Sequence, residues 1–99
     1  MPSFQLTIEA EADLRDIYRQ SRKRWGKPQT ALYLNNLDEV FHDLASHPDR
    51  GRTRHDLRPG VRSRLSGKHV VFYRTEGDHV SILRILHQAQ DAFQAFGRR

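Results

Sequence analysis

The chain begins with apolar and polar side chains in strict alternation. Phe4, Leu6 and Ile8 are separated by single polar residues, which is the two-residue period of a strand that buries one face. We therefore predict a first strand over residues 3–8.

Two helices are predicted next, because the apolar spacing lengthens to three and four residues. The first ends at the pair Trp25 and Gly26, where glycine supplies the usual stop. Acidic residues in its early turns and basic residues in its last turns match the two ends of the helix dipole. The second helix begins near Pro28, a residue suited to a first helical turn, and ends before Pro48. The two form a helical hairpin.

Three short strands are predicted after a loop at 49–60 that is rich in Arg, Asp, Gly and Pro. They cover residues 61–65, 69–74 and 79–86, and the short turns between them require antiparallel pairing. A final helical turn is predicted in the tail at 88–99. The order predicts an α+β domain in which the helices pack on one face of a sheet made from the first strand and a three-stranded antiparallel meander.

The last strand of the meander is apolar on both of its alternating faces. Regular pleating directs Val80, Ile82 and Leu86 to one side and Leu83 and Ile85 to the other. This pattern is typical of a strand covered on both faces.

Composition narrows the functional classes. The length of 99 residues indicates that residues 1–99 form one domain. The chain has 17 Lys and Arg against 12 Asp and Glu, a net charge of +5, which predicts attraction to nucleic acid or to an acidic protein. The absence of cysteine excludes a disulfide framework, a thiolate zinc site and a cysteine nucleophile, and fits the reducing cytoplasm. The longest strongly apolar run, 70–73, is far shorter than the roughly 20 residues that span a bilayer. We therefore expect no membrane association.

The densest positive stretch lies between residues 50 and 68, which hold seven Lys or Arg and one acidic residue. In a strand at 61–65, Arg62 and Arg64 point to one face while Val61 and Leu65 point to the other. This stripe of positive charge predicts a binding surface for phosphates or for an acidic protein. A solvated arginine-rich loop is the alternative.

Seven short segments are recognisable by their order and spacing. They are FQLT at 4–7, ADLRDI at 12–17, WG at 25–26, FHDLA at 41–45 with Pro48, GR at 51–52, VVFYR at 70–74, and RILHQ at 84–88 with Asp91. Together they resemble the ParE branch of the RelE/ParE toxin superfamily over nearly the whole chain. The resemblance implies a cytoplasmic toxin in a hetero-oligomer with a ParD-like antitoxin, and inhibition of DNA gyrase without chemistry of its own.

Two sets of site residues follow from these observations. Target binding is predicted for Arg58, Arg62, Arg64, Arg84, His87, Gln88 and Asp91. Antitoxin contacts are predicted for aromatic and apolar residues of the helices, where these are exposed: Tyr18, Trp25, Tyr33, Leu37 and Phe41. The alternative is that these side chains belong to the core. No metal and no cofactor are predicted, because the histidines lack the spacing of metal ligands.

An mRNA endonuclease like RelE is the main alternative. It requires a proton acceptor, a proton donor and cations, for which Arg62, Arg64, Arg84 and His87 are the candidates. Regular pleating directs Arg84 and His87 to opposite faces of the last strand. No Tyr follows Tyr73, whereas RelE-like nucleases typically keep a catalytic Tyr near the C-terminus. The sequence therefore favours action by binding.

A small nucleic-acid-binding module is the third hypothesis, and direct nucleic-acid binding is left open. Neither predicted helix shows a helix-turn-helix pairing or a basic face along its length. For His87, a structural role through a backbone hydrogen bond is the alternative to a catalytic one.

Overall fold

The computed structural model describes residues 3–97, which form three helices and five strands. In chain order the elements are β1 (Phe4–Leu6), α1 (Ile8–Trp25), α2 (Lys27–Ser46), a 3₁₀ turn (Pro48–Arg50), β2 (Arg52–Thr53), β3 (Arg62–Ser66), β4 (His69–Glu76), β5 (His79–His87) and α3 (Ala92–Phe96). Within these residues, neither long helix has the apolar length that a bilayer crossing requires.

The strands form one sheet in the order β1-β5-β4-β3-β2. β1 runs parallel to β5, and the other neighbours are antiparallel. The predicted α+β architecture, with a helical hairpin on one face and a three-stranded meander, is therefore confirmed. The sequence missed β2 inside the predicted loop at 49–60, because two residues are too few to display a period.

The helical hairpin depends on two local signals. The Thr7 side chain accepts a hydrogen bond from the Ala10 N–H at 3.1 Å and caps α1. β1 therefore ends at Leu6, before the predicted limit of residue 8, and Ile8 is already helical with its side chain 80% exposed. At the other end, Gly26 adopts a φ of 82°, a conformation that few other residues tolerate, and α2 begins at the next residue.

Hydrophobic clusters lie on both faces of the sheet. The cluster beneath the hairpin contains Ala10, Ile17, Leu37, Phe41, Leu44, Val71, Tyr73, Val80, Ile82 and Ile85. The cluster on the opposite face contains Leu57, Val61, Phe72, Leu86 and Phe96. α3 thus covers the face that the hairpin leaves open, and β5 is buried on both sides as predicted.

A register shift interrupts the pairing of β4 with β5. Phe72 pairs with Arg84 while Tyr73 pairs with Ile82, so β5 contains one additional residue, Leu83, at this point. The residues of β5 packed beneath the hairpin are consequently Val80, Ile82 and Ile85, and those on the α3 face are Leu83 and Leu86. Our assignments of Leu86 to the face of Val80 and of Ile85 to the face of Leu83 were both wrong, because an added residue reverses the alternation that follows it.

Candidate functional site

An open groove of about 940 Å³ lies between the second half of α1 and the end of β5. Tyr33 of α2, the turn between β3 and β4, and the residues after β5 complete its walls. Arg84 and His87 both line this groove, as does Trp25 at the end of α1. The groove therefore brings together residues from both predicted site sets.

One wall of the groove is made where β5 extends beyond its partner β1, whose pairing ends at Ile82. There the carboxylate of Asp13 accepts hydrogen bonds from Arg84 Nε at 2.8 Å and Nη2 at 3.0 Å, and from the Ile85 N–H at 2.9 Å. The bonds to Asp13 raise the pKa of Arg84 above its ordinary value. Asp13 thus occupies a free sheet edge and engages Arg84 in an ion pair.

Arg84 and His87 reach the groove from different faces of the sheet. Arg84 lies opposite Phe72, in the cluster on the α3 face, whereas His87 lies opposite His69. The His69 ring in turn contacts Tyr33 of the hairpin. The predicted separation of Arg84 and His87 is therefore confirmed. The Arg84 guanidinium enters the groove only because it extends to Asp13 on α1.

Tyr33 joins α2 to the turn between β3 and β4. Its hydroxyl accepts a hydrogen bond from the Lys68 N–H at 2.9 Å and lies 2.5 Å from Nδ1 of His69. The His69 and His87 rings meet edge to face, with centroids 5.4 Å apart. Burial, followed by the neighbouring His87, lowers the pKa of His69 below 6.5. The Tyr33 hydroxyl also lies 3.3 Å from the Ser66 carbonyl, so its one proton is shared between two acceptors, that carbonyl and Nδ1 of His69.

The predicted arginine stripe faces the hairpin. Arg62 and Arg64 lie opposite Tyr73 and Val71, which belong to the cluster beneath the helices, so the predicted alternation is confirmed. Arg64 Nη1 donates to Asp43 at 2.9 Å, and this hydrogen bond is the main cause that lowers the pKa of Asp43. Arg62 Nη1 donates to a backbone carbonyl, that of residue 51, at 2.8 Å. Both arginines therefore make contacts within the chain.

Two further target-binding candidates stabilise α3. Arg58 Nη2 donates to the Phe96 carbonyl at 2.8 Å, and its guanidinium lies 5.2 Å from the centre of the Phe96 ring. The Asp91 side chain accepts from the Phe93 N–H at 2.9 Å and caps the helix. Gln88 and His87 are exposed beside the groove. Nδ1 of His87 accepts a hydrogen bond from a backbone N–H, two residues further on, at 3.1 Å.

The predicted antitoxin contacts divide by exposure. Leu37 and Phe41 are only 1% and 3% exposed and belong to the core beneath the hairpin, so they offer no surface, and this part of the prediction is corrected. Tyr18 and Trp25 are 44% and 40% exposed. Tyr33 is partly buried and packs against Trp25. Helical spacing alone did not separate the two groups, because the apolar stripe of each helix is wider than its buried part.

Several groove residues lie outside the predicted site sets, among them Asp13, Lys68 and His69. In the sequence, Asp13 is one of several acidic residues that match the helix dipole, and Lys68 is one member of the positive stretch. His69 is one of the histidines without the spacing of metal ligands. The ADLRDI segment that contains Asp13 was the one available signal, since it places a carboxylate within an otherwise apolar helical face.

The fold defines the class of protein. It is similar to the chromosomal ParDE toxin–antitoxin system of P. aeruginosa, with a TM-score of 0.75 and 27% identity over 88% of this chain and 96% of that chain. It is also similar to the toxin–antitoxin complex RelBE2 of Mycobacterium tuberculosis, with a TM-score of 0.59 and 26% identity over 88% and 99% of the two chains. The chain therefore has the architecture of the RelE/ParE toxin superfamily.

Sequence relatives narrow this class to one family. The family described as the ParE toxin of the type II toxin–antitoxin system parDE matches residues 4–92. Toxin ParE1 of Caulobacter vibrioides is 44% identical over 93% of this chain and 95% of that protein. Toxin ParE of Escherichia coli is 34% identical over 92% of this chain and 89% of that protein. The chain belongs to the ParE toxin family of type II toxin–antitoxin systems.

Proposed function

We propose that this ParE toxin inhibits DNA gyrase by binding, and that a ParD-like antitoxin neutralises it. The observation that carries the proposal is the family match over residues 4–92. The family fixes the toxin–antitoxin role, and the gyrase target follows from the resemblance of this chain to the ParE branch. The site supports binding over catalysis, because Arg62, Arg64 and Arg84 are engaged in contacts within the chain.

The four candidate residues for a nuclease, the three arginines and His87, are not arranged for catalysis. Arg62 bonds a backbone carbonyl, Arg64 bonds Asp43, and Arg84 bonds Asp13. A phosphoryl transfer requires cations and proton-transfer groups that converge on one phosphate. Arg84 and His87 originate on opposite faces of β5, and although both line the groove, the Arg84 guanidinium is paired with Asp13, which does not favour cleavage. The RelE-like nuclease remains the second candidate function, favoured by the fold similarity to RelBE2.

The proposed antitoxin contacts are Tyr18 and Trp25 on α1, with Tyr33 packed against Trp25. The two residues on α1 are exposed, and the last turn of the helix is basic, with Arg22 and Lys23 among its residues. An acidic segment with apolar side chains complements such a surface in both charge and hydrophobicity. Toxin and antitoxin would form a hetero-oligomer, in agreement with the two similar structures, a toxin–antitoxin system and a toxin–antitoxin complex.

The proposed gyrase contacts are His87 and Gln88, with Arg58, Arg62, Arg64, Arg84 and Asp91 in supporting positions. His87 and Gln88 are exposed at the end of β5. The supporting residues hold the surrounding elements through the contacts described above, so their removal would disturb the surface indirectly. Substitution of a supporting residue should therefore affect folding more than substitution of His87 or Gln88.

The test compares two reactions with one preparation of the antitoxin-free protein. We expect inhibition of DNA supercoiling by purified gyrase, and intact labelled mRNA in a translating ribosome extract. His87→Ala should weaken gyrase inhibition through the lost contact but should not abolish it, because binding needs no proton transfer. Added antitoxin should restore supercoiling, which controls for a contaminant. Codon-positioned mRNA cuts together with unaffected supercoiling would replace this function with the RelE-like one.

A further inference from the structure

Three exposed basic side chains line the groove at what we call its mouth: Lys23, Arg24 and Lys68. Between residues 3 and 97, no Asp or Glu forms an ion pair with any of them. Arg64 and Arg84, by contrast, are paired with carboxylates. The charge at the mouth is therefore available to an anionic ligand.

A row of aromatic rings lines the same groove. The Trp25 and Tyr33 centroids are 5.7 Å apart, those of Tyr33 and His69 are 5.5 Å apart, and those of His69 and His87 are 5.4 Å apart. Trp25 stands at one end of the row and is 40% exposed. The row thus ends in an accessible indole beside the three cations.

The adjacent sheet edge is unsuited to an added peptide strand. Strand addition requires free backbone groups, but the Ile85 N–H donates to Asp13 at 2.9 Å and the His87 N–H donates to Gln90 Oε1 at 2.9 Å. A ligand in the groove must therefore be recognised by side chains. Cations and an exposed aromatic ring are the groups that bind phosphates and unpaired bases.

We propose that the groove binds single-stranded nucleic acid. Lys23, Arg24 and Lys68 contact successive phosphates, and an unpaired base stacks on Trp25. A duplex is excluded from this mode, because its bases are stacked on one another and present no face to the indole. This site shares Trp25 and Lys23 with the proposed antitoxin surface but takes a different ligand in the free toxin, so it goes beyond the function proposed above.

The test uses the single Trp of the chain as a reporter. The full-length, antitoxin-free protein is titrated with oligothymidylate and oligouridylate of about eight nucleotides, within the usual range of site sizes. We expect quenching of the Trp25 emission and a rise in the anisotropy of labelled oligonucleotide. The logarithm of the association constant should fall with the logarithm of salt concentration at a slope of about −2, as three phosphate contacts predict. A matched duplex should not quench the emission.

Variants distinguish binding in the groove from attraction by the net charge of the protein. Lys68→Gln and Arg24→Gln should each weaken binding and reduce the salt slope by about 0.7. Trp25→Leu should weaken binding at least about fivefold, as measured by anisotropy. Arg15→Gln is the matched control, because Arg15 is an exposed cation on α1 outside the groove. Circular dichroism establishes that each variant is folded.

Three outcomes would overturn the proposal. The first is the absence of binding to either oligonucleotide. The second is an equal loss of affinity in Arg15→Gln and Lys68→Gln, which would indicate attraction by net charge alone. The third is tighter binding of polyglutamate than of oligonucleotide with the same dependence on Lys68 and Trp25, which would assign the groove to an acidic peptide. Since the assay contains no gyrase, none of these results bears on gyrase inhibition.

Discussion

The carboxylate of Asp13 accepts two hydrogen bonds from the guanidinium of Arg84, at 2.8 and 3.0 Å. A third bond, from the Ile85 N–H, joins the same carboxylate to the backbone of β5. The side chains are only 13% and 25% exposed, so water screens the pair weakly. Asp13 thereby holds α1 against the part of β5 that β1 does not cover.

Asp13→Asn should lower the free energy of unfolding by about 2 kcal/mol, because Arg84 keeps its charge but loses its partly buried counter-charge. Urea denaturation gives this value. Asp16→Asn is the control, since Asp16 and its partner Arg19 are 61% and 68% exposed, and exposed pairs contribute little. Equal losses in the two variants would contradict a special role for Asp13.

Tyr73→Phe should lower the free energy of unfolding by about 1–3 kcal/mol. The Tyr73 hydroxyl donates to the Pro48 carbonyl at 2.7 Å and accepts from the Gly51 N–H at 2.8 Å, so its removal leaves two backbone groups without a partner. Tyr18→Phe, at an exposed position, should change stability by less than about 0.5 kcal/mol. Thermal and urea unfolding of both variants measure the difference. A Tyr73→Phe protein as stable as Tyr18→Phe would show that water replaces the hydroxyl.

Stability should fall as the pH is lowered below about 6.5, the ordinary pKa of His69, towards its lowered folded value. The unfolded chain binds the proton more readily in this interval, so acid favours unfolding. Burial and the neighbouring His87 oppose protonation of His69 and Asp13 favours it, while the Tyr33 hydroxyl contacts Nδ1. The free energy of unfolding is measured between pH 5 and 8.

The pH dependence is assigned by a pair of variants. His69→Gln should flatten the dependence in this interval. His42→Gln should leave it unchanged, because the His42 side chain is 68% exposed on α2. An equally steep dependence in His69→Gln would attribute it to another group.

Saturating antitoxin should raise the melting temperature of the toxin. A ligand at about 100 times its dissociation constant adds about 2.7 kcal/mol, which corresponds to roughly 10 °C or more in a domain of this size. Trp25→Ser should reduce the shift, whereas Phe93→Ser, at an exposed position on α3, should preserve it. Differential scanning calorimetry measures the shifts. An unchanged melting temperature with wild-type toxin would contradict the proposed antitoxin complex.

The sequence by itself determined the helices, the meander and the family. The periods of apolar residues report local backbone geometry, and stops such as Gly26 act within a single turn. The helical hairpin therefore lies close to its predicted limits, and the faces of Arg62 and Arg64 were predicted correctly. The ordered segments resembling ParE were confirmed by the match over residues 4–92.

The tertiary structure alone decided where the charges and aromatic rings are used. Asp13 and Arg84 are 71 positions apart in the chain, and Tyr33 and His69 are 36 apart. The register shift at Leu83 redirects every later side chain of β5, although no local signal marks it. Such pairings depend on packing between distant elements, which a local period does not record. The sequence therefore determined which elements form, and their packing decided which side chains meet in the groove.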